Sequence, residues 1–418
     1  MSKFRRENQT KLQRWQWRIL LAFSFLYFFY YFGRENIDFA IPLLKKERGW
    51  TSAQLGMVSS GLFWAYALGQ LLWGRLSDRF GGRLLCGIGG LLSMVLNWIC
   101  SLATSVMALA VPWALNGLAQ SMGWAPGNKL IANWWPRERR GYAIGIVSSF
   151  AGGAVIAVWF LSGLIGTHWG WQGLFQIPVV LLGIMSIAYF FLVRDFPHQV
   201  GLPDYPDYEE QIRVKGNICK VKGIESYLNL LKSWKFDLAC LTAGMANFAR
   251  YFFTIWIPLY YTEVGKLSLD KIGTICLVLP MGMTIGPLVA GWVSDRLFQA
   301  KRYPVIAIFL FISAVLTFIL GITPVTKLFW HGFLLFLIGF FIYGSQGPIY
   351  ALSIDLAGKN QAGTAAGVMD STSYIFGAFQ GMIIGKILTL SKGNWLSCFT
   401  LVAASQLIGV GIIEKVKK

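Results

Sequence analysis

Gly74-Arg75-Leu76-Ser77-Asp78-Arg79-Phe80-Gly81-Gly82-Arg83 closes an apolar run early in the chain, and Gly291-Trp292-Val293-Ser294-Asp295-Arg296 closes another late in it. The shared Gly-x-x-Ser-Asp-Arg pattern recurs a little over half a chain length later. It marks an internal repeat, so its surroundings should repeat too. Taking about 20 apolar residues as one bilayer crossing, six runs precede the midpoint, at 19–43, 54–76, 84–104, 107–132, 142–166 and 171–193. Six more follow it, at 236–261, 271–293, 303–322, 328–352, 362–388 and 395–413. Each copy of the motif follows the second run of its set. The expected fold is therefore an all-α membrane protein of twelve spans in two pseudo-symmetric halves, 1–193 and 236–418, joined by a polar central loop at 194–235. Duplicated six-span halves are a transporter pattern, with the solute site between them near the midplane.

Composition agrees. The 418 residues are 55% hydrophobic and 13% charged, with mean hydropathy +0.54, which places most of the chain in lipid. The 46 glycines suit close helix approach, and the 18 tryptophans suit the headgroup level. A net charge of +18 raises nucleic acid as a partner, but the basic residues are scattered through short loops and form no groove-sized patch. They sit on one side: the N-terminus, Arg75, Arg79, Arg83, Arg137, Arg139, Arg140, the central loop, Arg296, Lys301, Arg302, Lys359 and the tail Lys415, Lys417 and Lys418. That bias predicts an inner-membrane protein with both termini cytoplasmic. The first apolar run is too long for a signal-peptide core and lacks a small-residue cleavage site, so it should stay attached as a span. The cysteines have no CxxC spacing, and no metal or cofactor is expected.

The longer motif matches the loop signature of the major facilitator superfamily, which it resembles almost position for position. The resemblance implies alternating access of two rocking halves, with Asp78, Arg79, Asp295 and Arg296 in the gate. Asp78 can pair with basic groups at neighbouring helix ends to latch one state. The sequence has no G-x-x-x-x-G-K-[ST] loop, so ion or solute gradients are the expected energy source rather than ATP.

Few ionisable residues fall at membrane depth: Arg34, Glu35 and Asp38 in the first run, Lys129 in the fourth, Arg250 in the seventh and Asp370 in the eleventh. Each costs on the order of 3 kcal/mol on insertion scales and is a functional candidate for that reason. Arg34 and Arg250 occupy equivalent spans in aromatic settings, and two facing guanidinium forks suit a phosphate or carboxylate. The alternative for Arg34 is an ion pair with Asp38, one turn on along the same helix.

At these residues the chain is similar to the organophosphate:phosphate antiporter family, which includes glycerol-3-phosphate and hexose-6-phosphate transporters and a related sugar-phosphate sensor. The matches are Tyr30-Tyr31-x-x-Arg34-x-Asn36, Gly123-Trp124-Ala125-Pro126-Gly127, Asn133-Trp134-Trp135, Glu138-Arg139-Arg140-Gly141, Arg194-Asp195-x-Pro197-x-x-x-Gly201-Leu202-Pro203, Ala249-Arg250-Tyr251 and Ala362-Gly363-Thr364-Ala365-Ala366-Gly367. The resemblance implies phosphate binding by Arg34 and Arg250, pore lining by Tyr27, Tyr31, Tyr66 and Tyr374, and a gating role for Lys129. For the tyrosines the alternative is packing or interfacial anchoring, and for Lys129 a snorkelling helix end.

Two departures stand out. Gln70 occupies the position of the family's second-span lysine, and no histidine lies in the fifth span. Asp38 and Asp370 add acids, so the cavity loses positive charge. Both aspartates become candidates for coupling to protons or for meeting the cationic end of a zwitterion, against the alternatives that Asp38 neutralises Arg34 and Asp370 bonds Ser371 or Ser373. The expected function is secondary active transport of a small organic anion, most simply an organophosphate, by antiport with inorganic phosphate. The alternatives are proton symport of a carboxylate or zwitterionic metabolite, and a transporter-like organophosphate sensor. No enzyme chemistry is expected, and the protein is expected to act as a monomer among membrane lipids.

Overall fold

A computed structural model of the chain describes residues 3–203, 225–267 and 269–416. Cys219, Lys417 and Lys418 lie outside them, as does the stretch 204–224 of the expected central loop. In the first half the helices are α1 (Lys3–Phe32), α2 (Asn36–Arg48), α3 (Ser52–Phe80), α4 (Gly82–Ser101), α5 (Val106–Gln120), α6 (Trp124–Trp134) and α7 (Arg137–Leu192). A short helix, α8 (Glu225–Leu231), leads into the second half. There follow α9 (Trp234–Ile255), α10 (Ile257–Glu263), α11 (Leu269–Cys276), α12 (Val278–Arg296), α13 (Arg302–Ile322), α14 (Leu328–Gly344), α15 (Gln346–Ala357), α16 (Ala362–Leu390) and α17 (Trp395–Val416).

Among the described residues, eight helical stretches are long and apolar enough to cross a membrane unaided. One of them, α7, turns back at Gly170, whose φ of 62° lies in the left-handed region that glycine tolerates best, and so makes two crossings. Three further crossings are each built from two helices meeting at a break: α1 with α2, α5 with α6, and α9 with α10. Twelve crossings result. The outer surface is apolar, with Leu68, Phe160, Phe191 and Phe329 among its exposed side chains, as lipid requires.

The apolar runs at 19–43, 107–132 and 236–261 are thus each interrupted by a break. Inside a bilayer a broken helix must re-satisfy its backbone from neighbouring helices, and the first break shows how. The Gly33 carbonyl accepts from Asn97 Nδ2 at 3.1 Å and Asn116 Nδ2 at 2.8 Å, and the Tyr30 carbonyl accepts from Gln120 Nε2 at 3.0 Å. A Cβ at position 33 would lie 2.9 Å from both Gln120 Nε2 and Ser93 Oγ. A side chain there would displace atoms of this web.

The two halves meet along two equivalent seams, α3 with α16 and α7 with α12. The repeat motif explains the equivalence. A Cβ on Gly74 would lie 2.6 Å from the Gly363 carbonyl, and one on Gly291 would lie 2.6 Å from the Gly141 carbonyl. The first glycine of each motif copy is thus a point where the opposite half's backbone approaches too closely for a side chain.

Candidate solute-binding chamber

Arg34 sits in the break between α1 and α2 and is 8% exposed. Its Nε donates to Gln120 Oε1 at 3.2 Å and its Nη1 to the Tyr374 hydroxyl at 3.0 Å. Its guanidinium carbon lies 4.6 Å from the ring centre of Tyr31, 5.1 Å from Tyr66 and 5.7 Å from Tyr27. Arg250 lies inside the continuous helix α9, 4.8 Å from the Tyr343 ring and 5.1 Å from Tyr251. Its hydrogen bond is a long one, from Nη1 to Asn247 Oδ1 of its own helix at 3.4 Å.

The tyrosines bring the two cations to one chamber. Tyr31 under Arg34 and Tyr343 under Arg250 share a hydroxyl–hydroxyl hydrogen bond at 3.2 Å. Tyr374, bonded to Arg34, stacks on Tyr66 with ring centres 4.3 Å apart and stands edge-on to Tyr251 at 6.0 Å. Around this centre several buried polar atoms have no hydrogen-bond partner: Arg34 Nη2, Arg250 Nε, the Tyr66 hydroxyl, both amide atoms of Gln70, Gln346 Nε2 and Asp370 Oδ2. Each such atom costs about 1–3 kcal/mol if left dry and unmet. Those around the two guanidiniums leave hydrogen-bonding capacity that a polar occupant could meet.

Asp370 is buried on α16, and its Oδ1 accepts from the Tyr350 hydroxyl. Ser371 and Ser373 are not its partners; the Ser373 hydroxyl returns to the Met369 carbonyl at 2.9 Å. Asp38 is exposed on the first turn of α2. Arg34 makes no ion pair with it among the described residues, because the break takes Arg34 out of the helix in which a four-residue spacing would have paired them.

At the end of the bundle that carries α1's start and α17's finish, two latches tie the halves together. Asp78 accepts from the Gly363 and Thr364 amides, each at 3.0 Å, and from the Thr364 hydroxyl at 2.6 Å. Lys129 approaches Asp78 at 3.5 Å and donates to the Lys359 carbonyl. Equivalently, Asp295 accepts from the Tyr142 amide at 2.7 Å and from Arg302. Arg302 also reaches Asp355 at 3.3 Å, and Asp355 accepts from Arg140 at 2.8 Å and lies 3.4 Å from Arg137. Asp78 caps the start of α16 in the other half, where backbone donors and the helix dipole favour an anion, and Asp295 takes a backbone amide in the second turn of α7.

The family description of the Major Facilitator Superfamily matches residues 23–382. The chain belongs to the major facilitator superfamily. Within it, the chain is 30% identical over 398 residues to a probable hexose phosphate transport protein of Chlamydia pneumoniae, covering 91% of this chain and 86% of the relative. It is also 30% identical over 398 residues to the glycerol-3-phosphate transporter of Bacillus subtilis, covering 91% and 87%. These relatives match the organophosphate:phosphate antiporter resemblance read from the motifs. In fold, a crystal structure of the E. coli fucose:proton symporter FucP superimposes with a TM-score of 0.74 at 14% identity, covering 96% of this chain and 98% of that one. The chain is accordingly a multi-pass, all-helical membrane protein of the major facilitator fold.

In this superfamily member, Arg34, Tyr27, Tyr31, Tyr66 and Tyr374 come together around one guanidinium, and Arg250 joins them through Tyr343 and Tyr251. Gln70 lies one turn from Tyr66 on α3. Lys129 is buried and reaches across the halves rather than to the surface. Arg79 and Arg296 occupy exposed positions and enter no ion pair among the described residues; Arg79 stands over the Phe80 ring at 5.2 Å. The cations beside the motif aspartates are instead Lys129 and Arg302. Sequence reasoning passed over Tyr251, Tyr343, Tyr350, Gln120, Gln346 and Asp355 as site or gate residues. A signal existed for one of them. Matching the fourth and tenth spans on Pro126 and Pro348 sets Asp355 opposite Asn133, a charge where the first half has an amide.

Proposed function

We propose that this protein is a secondary active transporter that carries a phosphorylated organic anion by alternating access, in exchange for inorganic phosphate. The observation that supports this most is the pair of buried guanidinium groups, each with a nitrogen lacking a partner, held in one tyrosine-lined chamber between the halves. A phosphate placed between them accepts charge-assisted bonds from both forks. It thereby draws together α1/α2 of the first half and α9 of the second. The two halves, 1–193 and 236–418, then rock about the chamber, with 194–235 as the connecting segment.

The latches set the conformation. With Asp78 and Asp295 engaged, the end carrying the termini is closed. By the excess of Lys and Arg there, that end faces the cytoplasm of a cell inner membrane, and this state loads solute from outside. Lys129, Arg302 and Asp355 release when it opens. The protein works as a monomer and needs no cofactor. A second reading, proton-driven symport of a carboxylate or zwitterion, rests on Asp370, an acid inside the chamber itself.

The deciding experiment is uptake of labelled phosphate and phosphate esters into phosphate-loaded liposomes, with Arg34→Ala and Arg250→Ala alongside. Exchange by the wild type, lost in both variants, supports the antiporter. Uptake that needs an inward proton gradient and ignores internal phosphate moves the assignment to the second reading. Absence of flux for every phosphorylated solute sinks the phosphate-based reading.

A further inference from the structure

One helical turn below the arginine level, toward the latched end, the chamber has a floor with a different chemistry. Asp370 precedes Tyr374 by four residues on α16, and Gln70 follows Tyr66 by four on α3. Since α3 runs toward the latched end and α16 runs away from it, both lie one turn deeper than the stacked Tyr66–Tyr374 pair. Across the seam the Gln70 backbone carbonyl faces Gly367, one turn before Asp370, where an added Cβ would lie 2.3 Å from it. Tyr350 on α15, bonded to Asp370, completes the floor. Tyr350 meets Trp124 edge-on at 4.9 Å, Trp124 lies 5.0 Å from Tyr27, and Tyr27 lies under Arg34. Arginines above and carboxylate below therefore belong to one space.

The floor's unmet groups ask for a donor. Asp370 is 5% exposed; Tyr350 satisfies Oδ1 and nothing satisfies Oδ2. Gln70 is fully buried with both its carbonyl oxygen and its amide nitrogen unmet. Among the described residues no lysine or arginine pairs with Asp370. A carboxylate oxygen is an acceptor only, so its missing partner must bring N–H or O–H, and a buried anion is best met by a cation.

The geometry points to a zwitterionic solute: a phosphate monoester whose ester arm carries a primary ammonium, with the phosphate at Arg34 and Arg250 and the ammonium at Asp370 and the Gln70 carbonyl. This rests on the phosphate-site reading above and names its substrate class. One turn of helix is about 5.4 Å, on the order of the span from phosphorus to nitrogen in a two-carbon amino ester. A neutral hydroxyl on the same arm can bond Asp370 but leaves its charge uncompensated.

The test uses two probes that differ only in that group, 2-aminoethyl phosphate and 2-hydroxyethyl phosphate, as competitors of labelled-phosphate uptake into phosphate-loaded liposomes. The wild type should be inhibited by the amine at a concentration at least about tenfold lower than by the alcohol, the size of one charge-assisted bond. In Asp370→Asn the two should inhibit within about twofold of each other, and in Gln70→Lys the order should reverse, since a floor cation repels the ammonium. Equal inhibition by both probes in the wild type, or an amine preference that survives Asp370→Asn, overturns the proposal. If Asp370→Asn does not fold, Gln70→Lys decides alone. If the wild type exchanges no phosphate, the antiport reading fails separately, and the same preference and reversal are read from the melting temperature of purified protein with each probe.

Discussion

Arg34 and Arg250 lie in equivalent spans, yet their surroundings differ. Arg34 lies where the helix has come apart, and the broken backbone recruits a buried polar web to hold it. Gln120 takes Arg34 Nε with its oxygen while its amide serves Tyr30's carbonyl and Ser93 Oγ, the latter at 2.7 Å. Ser93 in turn donates to Asn116 at 2.7 Å, and Asn36 donates to Asn97 at 2.9 Å. Arg250 rides on an intact helix with one long bond to its own turn and tyrosine rings for walls. One fork is fixed in place, and the other is free to follow a ligand. On the proposed mechanism, the fixed fork is the reference that sets where the phosphate sits, and the other is the compliant arm that carries its arrival to the second half.

The largest effect should come from replacing each fork by lysine. Arg34→Lys loses the planar donors and strands Gln120 Oε1 in a buried web, so uptake efficiency should fall at least about 100-fold, with a melting temperature lower by roughly 2–4 °C. Arg250→Lys keeps a point charge at the end of a mobile arm, and should cost about tenfold with the melting temperature unchanged within roughly 1 °C. Equal losses in uptake and stability for the two would erase the distinction between fixed and compliant forks.

Next comes the web itself. Gln120→Ala leaves both arginines in place but releases Arg34 and the Tyr30 carbonyl. The KM for the phosphorylated solute should rise about tenfold, with a smaller change in maximal rate, as expected for loss of preorganisation rather than of charge. Asn247→Ala, the matching change beside Arg250, should shift KM less than about threefold, given the length of its bond. Transport kinetics on the two purified variants would settle it.

How much of this could be read in advance follows from the physics of each residue. Apolar runs, the duplicated Gly-x-x-Ser-Asp-Arg motif and the basic loops are one-dimensional signals, so the twelve-span fold was legible, and both arginines were expected at membrane depth from their place in the runs. The break at Gly33–Glu35 was not, because Asn97, Asn116 and Gln120, which make it affordable in lipid, come from other spans and look like ordinary polar residues in their own. Tyr343 was hidden for the opposite reason: it sits in a run of α14 so apolar, with Phe340, Phe341 and Ile342 beside it, that a tyrosine reads as packing. Arg302 and Asp355 lie near helix ends of the second half, where charges are unremarkable until Arg137 and Arg140 of the first half are seen against them.

The finest comparison lies in the tyrosine hydroxyls. Tyr374 touches Arg34 through oxygen, accepting a hydrogen bond at 3.0 Å, whereas Tyr343 touches Arg250 through its ring face, 4.8 Å from the guanidinium carbon. Removing the oxygen and keeping the ring therefore separates the two modes. Tyr374→Phe deletes a bond to a fixed cation and adds a second unmet nitrogen to the one already on Arg34, so KM should rise about fivefold. Tyr343→Phe retains the quadrupole that holds Arg250 and loses the neutral hydroxyl link to Tyr31, worth about 1 kcal/mol or less, so KM should change less than about threefold. If Tyr343→Phe proved the more damaging, the Tyr31–Tyr343 link would be what positions Arg250, and the second fork would be as anchored as the first.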